Sequence, residues 1–300
     1  TSNLEGLKHD RIKLVQGDIL KKDTLVKAMQ GCSQVYHLAA YAKNWAPDRQ
    51  VFFEQNVQGM RNVFEAAEHV GVSRTVFTTT IVTFGPTRPG EVGDEAMPRI
   101  TSRYYTEYED TKVVAEQEAL KKAAAGFPVV IVNPARVYGP GKLTEGNSVS
   151  LMIDLYDRGK VPVQLNGGKN VGNYVFVDDL VKGHILAMEK GKIGERYILG
   201  GENASLKRIF ELVDEVSGKK HFQVSLPPKL AMLYGHVEKI KAETFGIYPQ
   251  ITPGWVETFL QEWAYSCKKA ERELGYTVTP LKEGIRMTYE WILEQRKNKA

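Results

Sequence analysis

The sequence has few cysteines and no long apolar run. Its two cysteines, Cys32 and Cys267, are far apart and belong to no CxxC motif or Cys/His cluster, so neither a disulfide nor a zinc site is expected. No apolar run approaches the roughly 20 residues of a membrane-spanning helix, and the first ten residues lack a signal peptide's apolar centre. We therefore expect a cytoplasmic protein without a membrane span or a metal site.

An excess of one charge is also lacking. Forty lysines and arginines face 36 aspartates and glutamates, which leaves a net charge of +4. Such a balance supplies no basic face for a phosphate backbone, so nucleic acid is not an expected partner. The 300 residues, of which 42% are hydrophobic, are enough for one large domain or for a domain with a smaller lobe.

Short β-branched runs alternate with longer segments of helical period in the first half of the chain. The predicted strands are 12–15, 34–39, 74–79 and 128–133, and the predicted helices are 23–31, 50–71 and 104–126. This alternation predicts βαβ units and a doubly wound α/β fold with a parallel sheet. After residue 140 the spacing changes, with helices near 149–157, after Val177, at 205–218, 228–247 and 253–262 and from Leu281, and short strands near Val161 and Tyr174.

We place a soft boundary near residue 140. Residues 1–140 are predicted to form a dinucleotide-binding domain, and residues 141–300 a smaller α/β substrate lobe interwoven with it. Aromatic and apolar residues of this lobe fit a core better than a binding site; they are Leu233, Tyr234, Phe245, Tyr248, Trp255 and Phe259.

Tyr108 and Lys112 are four residues apart in a predicted helix, so both side chains leave the same face. An ammonium about 5 Å away would lower the phenol's pKa by about two units, which makes tyrosine a usable acid/base. Tyr138 with Lys142 and Tyr156 with Lys160 share this spacing. Only the first pair follows a strand that ends in hydroxyl groups, with Thr80 at the edge where open α/β sheets bind ligands.

Six segments resemble the extended short-chain dehydrogenase/reductase superfamily, the NAD-dependent epimerase/dehydratase family, in their order and spacing. They are VYHLAA (35–40), NVQGMRNVFEAA (56–67), TVFTTTIVTFG (75–85), YEDTK (108–112), NPARVYGPG (133–141) and YVFVDDLVKGH (174–184). YGPGKLTEGN, GERYILGGENAS and EWAYSCKKAERELGY resemble its dihydroflavonol reductase-like branch, particularly farnesol dehydrogenase-like members. The resemblance implies a Rossmann-type fold.

The resemblance also implies site residues and a cofactor, NAD or NADP. Tyr108 is the implied acid/base, Lys112 tunes it, and Thr80, where the family more often has serine, bonds the substrate oxygen. The implied cofactor-binding residues are Asp18, Ile19, Leu38, Ala39, Ala40, Asn56, Thr78, Tyr108, Lys112, Pro134, Ala135 and Arg136. Candidate substrate contacts, because they follow strand ends, are Tyr41, Trp45 and Phe84.

The family's glycine-rich GxxGxxG loop, which receives the dinucleotide's pyrophosphate, is absent from these 300 residues. The resemblance makes 12–15 the third strand of a sheet whose first two strands are missing, so we expect these 300 residues to be an N-terminally truncated part of a longer enzyme. A partner strand that fills the gap is the alternative. The residue that would distinguish NAD from NADP is missing too, so the choice of cofactor stays open.

Three functions remain open. The leading one is hydride transfer between NAD(P) and a hydroxyl or carbonyl carbon of a hydrophobic small molecule. A nucleotide-sugar epimerase with the same residues is the second, whereas Ile81 and Val82 stand where sugar dehydratases have Asp-Glu. A non-catalytic dinucleotide-binding protein is the third. By resemblance, a homodimer through helices 50–71 and 104–126 is possible.

Overall fold

The computed structural model describes Leu7 and residues 9–298. The strands are β1 (Gln34–His37), β2 (Arg74–Thr78), β3 (Val129–Pro134), β4 (Arg136–Tyr138), β5 (Val163–Leu165), β6 (Val171–Phe176), β7 (Arg196–Leu199), β8 (Glu202–Ser205) and β9 (Val224–Leu226). The helices are α1 (Lys22–Met29), α2 (Gln50–Phe53), α3 (Gly59–His69), α4 (Glu107–Ala124), α5 (Ser148–Asp157), α6 (Val177–Lys190), α7 (Leu206–Ser217), α8 (Pro228–Phe245), α9 (Pro253–Phe259), α10 (Lys268–Leu274) and α11 (Leu281–Lys297). None of the described helices is long and apolar enough to cross a membrane.

A parallel sheet of order β1-β2-β3-β7 forms the centre of the molecule. Its inner strands β2 and β3 are rich in buried β-branched residues, as expected for strands covered on both faces. One face packs on α1, α3 and α4. The other face packs on α6 and α10. This arrangement confirms the predicted doubly wound, Rossmann-type α/β fold.

Two smaller sheets are formed mainly by strands that follow residue 140. Strands β4, β6 and β8 form a mixed sheet, and β5 pairs with β9. Helices α5, α7 and α11 pack around β6 in a separate apolar core. Strand β7 returns to pair with β3 of the central sheet. The division at residue 140 stays a prediction.

The predicted helices near 50–71 and 104–126 form with local differences. The first is interrupted by a π-helical turn at Glu54–Gln58, between α2 and α3. The second, α4, begins at Glu107 because the Thr106 hydroxyl accepts a hydrogen bond from the Glu109 amide, 3.1 Å away. This N-cap fixes where the helix that carries Tyr108 and Lys112 begins.

The strand predicted at 12–15 is wrong. These residues have no regular secondary structure, and Ile12, Leu14 and Val15 are exposed. A strand needs a neighbour for its backbone hydrogen bonds, and within the described residues β1 pairs with β2 alone. Strand β1 is therefore an edge of the sheet, and its Tyr36 side chain is 42% exposed.

The interpretation of the second lobe's large residues as core is also wrong for four of them. Leu233, Tyr234 and Phe245 lie on the exposed face of α8, and Tyr248 follows the helix. The buried face of α8 consists instead of small residues and one carboxylate, among them Ala231, Gly235 and Glu238. Helical period alone gave no information on which face of α8 is covered.

A buried ion cluster joins the end of α11 to α5. The Arg296 guanidinium bonds the carboxylates of Asp154 at 2.8 Å and Asp157 at 2.6 Å. Lys219 also reaches Asp157, at 2.7 Å. Burial would raise the pKa of Asp157, but hydrogen bonds and charge attraction from Lys219 and Arg296 outweigh burial and hold that pKa below its usual value.

We expect Arg296→Gln to lower the free energy of unfolding by about 2–4 kcal/mol, because it leaves a buried carboxylate without one partner. The matched control Arg158→Gln, which removes an exposed partner of Asp154, should cost less than about 1 kcal/mol. The stabilisation is present above the unfolded aspartate pKa of about 3.9 and is lost as the pH falls through the lower folded pKa. Urea unfolding at pH 7 and pH 3 would measure both effects. Equal losses in the two variants at pH 7 would contradict the role of Arg296.

Candidate active site

The ends of β2 and β3 and the first turns of α4 meet at one edge of the central sheet. Thr80 lies just beyond β2, where its hydroxyl caps a 3₁₀ turn at Ile81–Phe84 by accepting from the Val82 amide, 3.4 Å away. Tyr108 lies in the first turn of α4, and Tyr108 and Thr80 line the same cavity. The structure thus brings the predicted pair Thr80 and Tyr108 together.

Lys112 lies one turn below Tyr108 and is 2% exposed. Its ammonium donates to the Thr78 carbonyl at 2.8 Å and lies 5.1 Å from the centre of the Phe77 ring. Burial lowers the pKa of Lys112 to about 8, and the charge of Glu116 opposes this change. The side chain is therefore a desolvated but largely protonated cation at neutral pH.

The expected lowering of the Tyr108 pKa is wrong. Burial raises the pKa of Tyr108 to about 12, although the nearby Thr80 hydroxyl opposes the rise. Desolvation disfavours the phenolate, and the Lys112 ammonium is directed at the Thr78 carbonyl. In this state Tyr108 is a neutral phenol, suited to donate a proton.

A buried carboxylate anchors α4 to the sheet. Glu116, on α4, accepts hydrogen bonds from Thr79 at 2.6 Å, Thr83 at 2.9 Å and Asn133 at 2.6 Å. Its second oxygen pairs with Arg196 of β7 at 3.1 Å. Sequence reasoning missed this network, although Glu116 continues the four-residue spacing of Tyr108 and Lys112.

A cavity of about 290 Å³ opens above Thr80 and Tyr108. From the first half of the chain it is lined also by Pro134, Ala135 and Arg136. From the second half it is lined by residues that include Glu145, Trp255, Thr258 and Phe259. The cavity therefore combines the Thr80 and Tyr108 hydroxyls with an apolar wall that includes Trp255 and Phe259.

The three predicted substrate residues lie outside this lining. Phe84 is fully buried in the core beside Tyr265; this position leaves it no surface for a substrate and corrects its predicted role. The Tyr41 ring packs on Phe52. Trp45 lines a neighbouring cavity and packs on Tyr248.

The predicted cofactor residues of the first half follow the carboxyl end of β1. Asn56, in the π-helical turn, accepts from the Tyr41 amide at 2.7 Å and donates to the Thr111 hydroxyl at 3.0 Å, so it holds the loop after β1. Leu38 and Ala39 are exposed and Ala40 is half-buried. They leave an open surface along this edge.

The residues predicted near the adenine are held by α1 and α3. Asp18 accepts from the Leu20 amide at 2.9 Å. Ile19 packs against Gly59, where a Cβ would come within 2.7 Å of its Cδ1. Glycine at position 59 thus lets Ile19 lie close to α3.

Glu145 is a further site residue that sequence reasoning missed. It accepts from the Asn44 amide at 2.9 Å and from the Tyr248 hydroxyl at 2.8 Å, so it joins three loops at the mouth of the cavity. A single glutamate in a loop carries no sequence signal, because its partners are about 100 residues away on either side.

We expect Lys112→Met to stabilise the fold by about 1–3 kcal/mol, because it removes a buried charge whose pKa is lowered from about 10.4 to about 8. In the wild type, the buried Lys112 charge destabilises the fold below pH 8, and this destabilisation disappears as the pH rises to about 10. The stability of the variant lacks this pH dependence. The matched control is Lys121→Met, an exposed position of the same helix. Thermal unfolding from pH 7 to 10 measures the difference; a lower melting temperature for Lys112→Met would contradict it.

Comparisons with known proteins agree with this architecture. A "Putative dihydroflavonol 4-reductase" of Synechocystis sp. is 31% identical over 295 residues, covering 97% of this chain and 84% of that protein. Mouse sterol-4-alpha-carboxylate 3-dehydrogenase, decarboxylating, is 25% identical and covers 98% and 84%. The sequence-based recognition of a dihydroflavonol reductase-like relative is therefore confirmed.

Solved structures show the same fold. The crystal structure of gox2253 superposes with a TM-score of 0.82 at 32% identity, covering 98% of this chain and 88% of that one. UDP-glucose 4-epimerase of Thermus thermophilus, solved with NAD, gives a TM-score of 0.76 at 22% identity, covering 96% and 87%. The match to the family itself spans residues 1–200. The chain belongs to the NAD dependent epimerase/dehydratase family.

Proposed function

We propose that this protein transfers hydride between a nicotinamide dinucleotide and a hydroxyl or carbonyl carbon of a small molecule with a hydrophobic part. The observation that carries the proposal is that Thr80 and Tyr108 line the same cavity, with the Lys112 ammonium buried one turn below Tyr108. Reductases and sterol dehydrogenases among the relatives support it.

In the reducing direction, the neutral Tyr108 phenol donates its proton to the carbonyl oxygen. The Thr80 hydroxyl bonds the same oxygen and positions it. The buried Lys112 cation offsets the charge that the departing proton leaves on Tyr108. A bound nicotinamide would supply the hydride. In the reverse direction the same groups remove a proton from an alcohol, and this needs a pKa of Tyr108 below the value of about 12 found here.

The residues at the sheet edge fit the nicotinamide half of a dinucleotide. Pro134 and Ala135 line the cavity beside Tyr108, and Lys112 lies within one helical turn. The pyrophosphate half has fewer binding groups, because the 300 residues contain no GxxGxxG loop. We therefore propose Lys112, Tyr108 and Pro134–Arg136 as the holding residues for NAD or NADP, and expect weak binding by this chain.

A nucleotide-sugar epimerase remains the second candidate. UDP-glucose 4-epimerase shares the fold, and epimerisation could use the same Tyr108 and Thr80. The lining by Trp255 and Phe259 favours a substrate with an apolar part instead. Turnover of farnesol, flavanonols and UDP-hexoses with millimolar NAD and NADP would separate the two; turnover of UDP-hexoses alone would overturn the first choice.

We expect Tyr108→Phe to reduce turnover by about 10²–10⁴-fold, because it removes the proton donor. Thr80→Val should lose about 10²-fold or more, and Thr80→Ser should retain most activity because it keeps the hydroxyl. Tyr104→Phe, an exposed tyrosine outside the cavity, is the matched control.

Single-turnover rates at saturating dinucleotide measure these effects, and fluorescence titration of NADH checks that Tyr108→Phe leaves dinucleotide binding nearly unchanged. Unchanged turnover in Tyr108→Phe would remove this residue from the mechanism.

A further inference from the structure

Arg136 places a guanidinium in the cavity wall. Its side chain lies 4.6 Å from the centre of the Phe259 ring and 5.7 Å from that of Tyr174. One nitrogen, Nη1, donates to the Tyr174 hydroxyl at 3.3 Å. No acidic side chain among residues 9–298 lies within ion-pair distance of it. Because a guanidinium carries five N–H donors, most of its hydrogen-bonding capacity is unused by protein side chains.

The position of this guanidinium is built into the fold. A Cβ at residue 172 of β6 would lie 2.6 Å from Arg136 Nη1, so a glycine is needed there for the arginine to adopt this place. The two aromatic rings then fix its plane. An arginine that is already ordered loses little conformational entropy when it binds a ligand.

The Arg136 side chain packs against the second half of the chain. Phe259 belongs to α9 and Tyr174 to β6, and the same cavity wall includes Trp255 and Thr258. Pro134–Arg136 are predicted to border the nicotinamide, and the Arg136 side chain continues from there to Phe259 and Tyr174. The side chain extends along the side of the cavity that a substrate would occupy.

The charges around the cavity favour an anion. Lys43 also lines it, with its ammonium 5.7 Å from the centre of the Tyr41 ring and, within the described chain, no carboxylate partner. Of the two lining carboxylates, Glu109 is paired with Arg99. Glu145 is held by the neutral donors of Asn44 and Tyr248. Two unpaired cations therefore face one unpaired anion.

We propose that Arg136 binds an anionic group, a carboxylate or a phosphate, on the substrate whose oxygen faces Tyr108 and Thr80. The inference rests on the proposed function and narrows its substrate class to a small organic anion with an apolar part. The apolar part packs on Trp255 and Phe259. The planar guanidinium matches both oxyanions through two parallel hydrogen bonds.

The test measures equilibrium binding to the full chain by isothermal titration calorimetry. The carboxylate probe is 3-hydroxy-3-phenylpropanoate and its neutral partner is the methyl ester. Phenyl phosphate against phenol forms the phosphate arm. We expect the preferred anion to bind at least about tenfold more tightly than its neutral partner, as hydrogen bonds to charged groups do. The arm with the larger preference identifies the anion.

The variants separate Arg136 from general charge. Arg136→Gln should abolish the preference, and Arg136→Lys should keep part of it because the charge remains. Arg103→Gln removes the same charge from an exposed pair with Glu257 outside the cavity, and should change the preference less than twofold. If Arg136→Gln unfolds, Arg136→Lys is compared with Lys43→Gln instead. Arg136→Lys should weaken anion binding more than Lys43→Gln, because only Arg136→Lys removes a guanidinium.

Two results would overturn the proposal: no anion preference in the wild type, or a preference that survives in Arg136→Gln. The double variant Arg136→Gln, Glu145→Gln gives a further test. If the anion preference returned in this double variant, the proposal would be overturned, because the net charge of the cavity and not the Arg136 guanidinium would then determine anion binding. Binding needs no hydride transfer, so a preserved anion preference without turnover contradicts only the proposed function. Turnover of a neutral alcohol without any preference contradicts only the role of Arg136.

Discussion

The buried carboxylate of Glu116 is the interaction on which the site depends. It receives hydrogen bonds from Thr79, Thr83 and Asn133 and pairs with Arg196, so one side chain of α4 is tied to the segment after β2, to β3 and to the start of β7. A carboxylate this deeply buried is tolerated only when its oxygens are satisfied. Because its donors come from two strands and from the segment after β2, any shift of α4 along the sheet would break several bonds at once. The helix therefore has one register relative to Thr80.

The same helix carries a second buried charge whose purpose differs. Lys112 is desolvated, and its pKa falls to about 8, although Glu116 one turn away partly offsets this. Glu116 stabilises the packing of the helix, whereas Lys112 weakens the fold and keeps a cation near Tyr108. A buried charge that destabilises the fold is typical of functional sites, where activity often requires groups that lower stability. The charge of Glu116 links the two, since the residue that fixes the helix also keeps its lysine protonated.

The parts of the site that could be predicted from the sequence are those whose geometry depends on a single helix or strand. Tyr108 and Lys112 share a face because they belong to one helix, and the polar end of β2 marked Thr80. The pKa of Tyr108 was predicted wrongly because residue spacing gives distance along a helix but not the loss of water around it. The strand at 12–15 failed for a related reason: β-branched residues favour extended chain, but a strand also needs a partner. Glu145 was missed because loops distant in sequence provide its partners.

A short run of chain connects positioning to recognition. Asn133 bonds Glu116, Pro134 and Ala135 line the cavity beside Tyr108, and Arg136 extends to the aromatic residues of the second half. Asn133 also donates to the Thr80 carbonyl, at 3.3 Å, so the end of β3 holds the backbone of Thr80 in place. Since β3 continues almost directly into β4, the distance between the acid/base groups and the guanidinium is set by the covalent chain and by two sheets. A substrate held at Arg136 is thereby placed relative to Tyr108 by rigid elements, whereas Glu145 and its loops control only the mouth of the cavity.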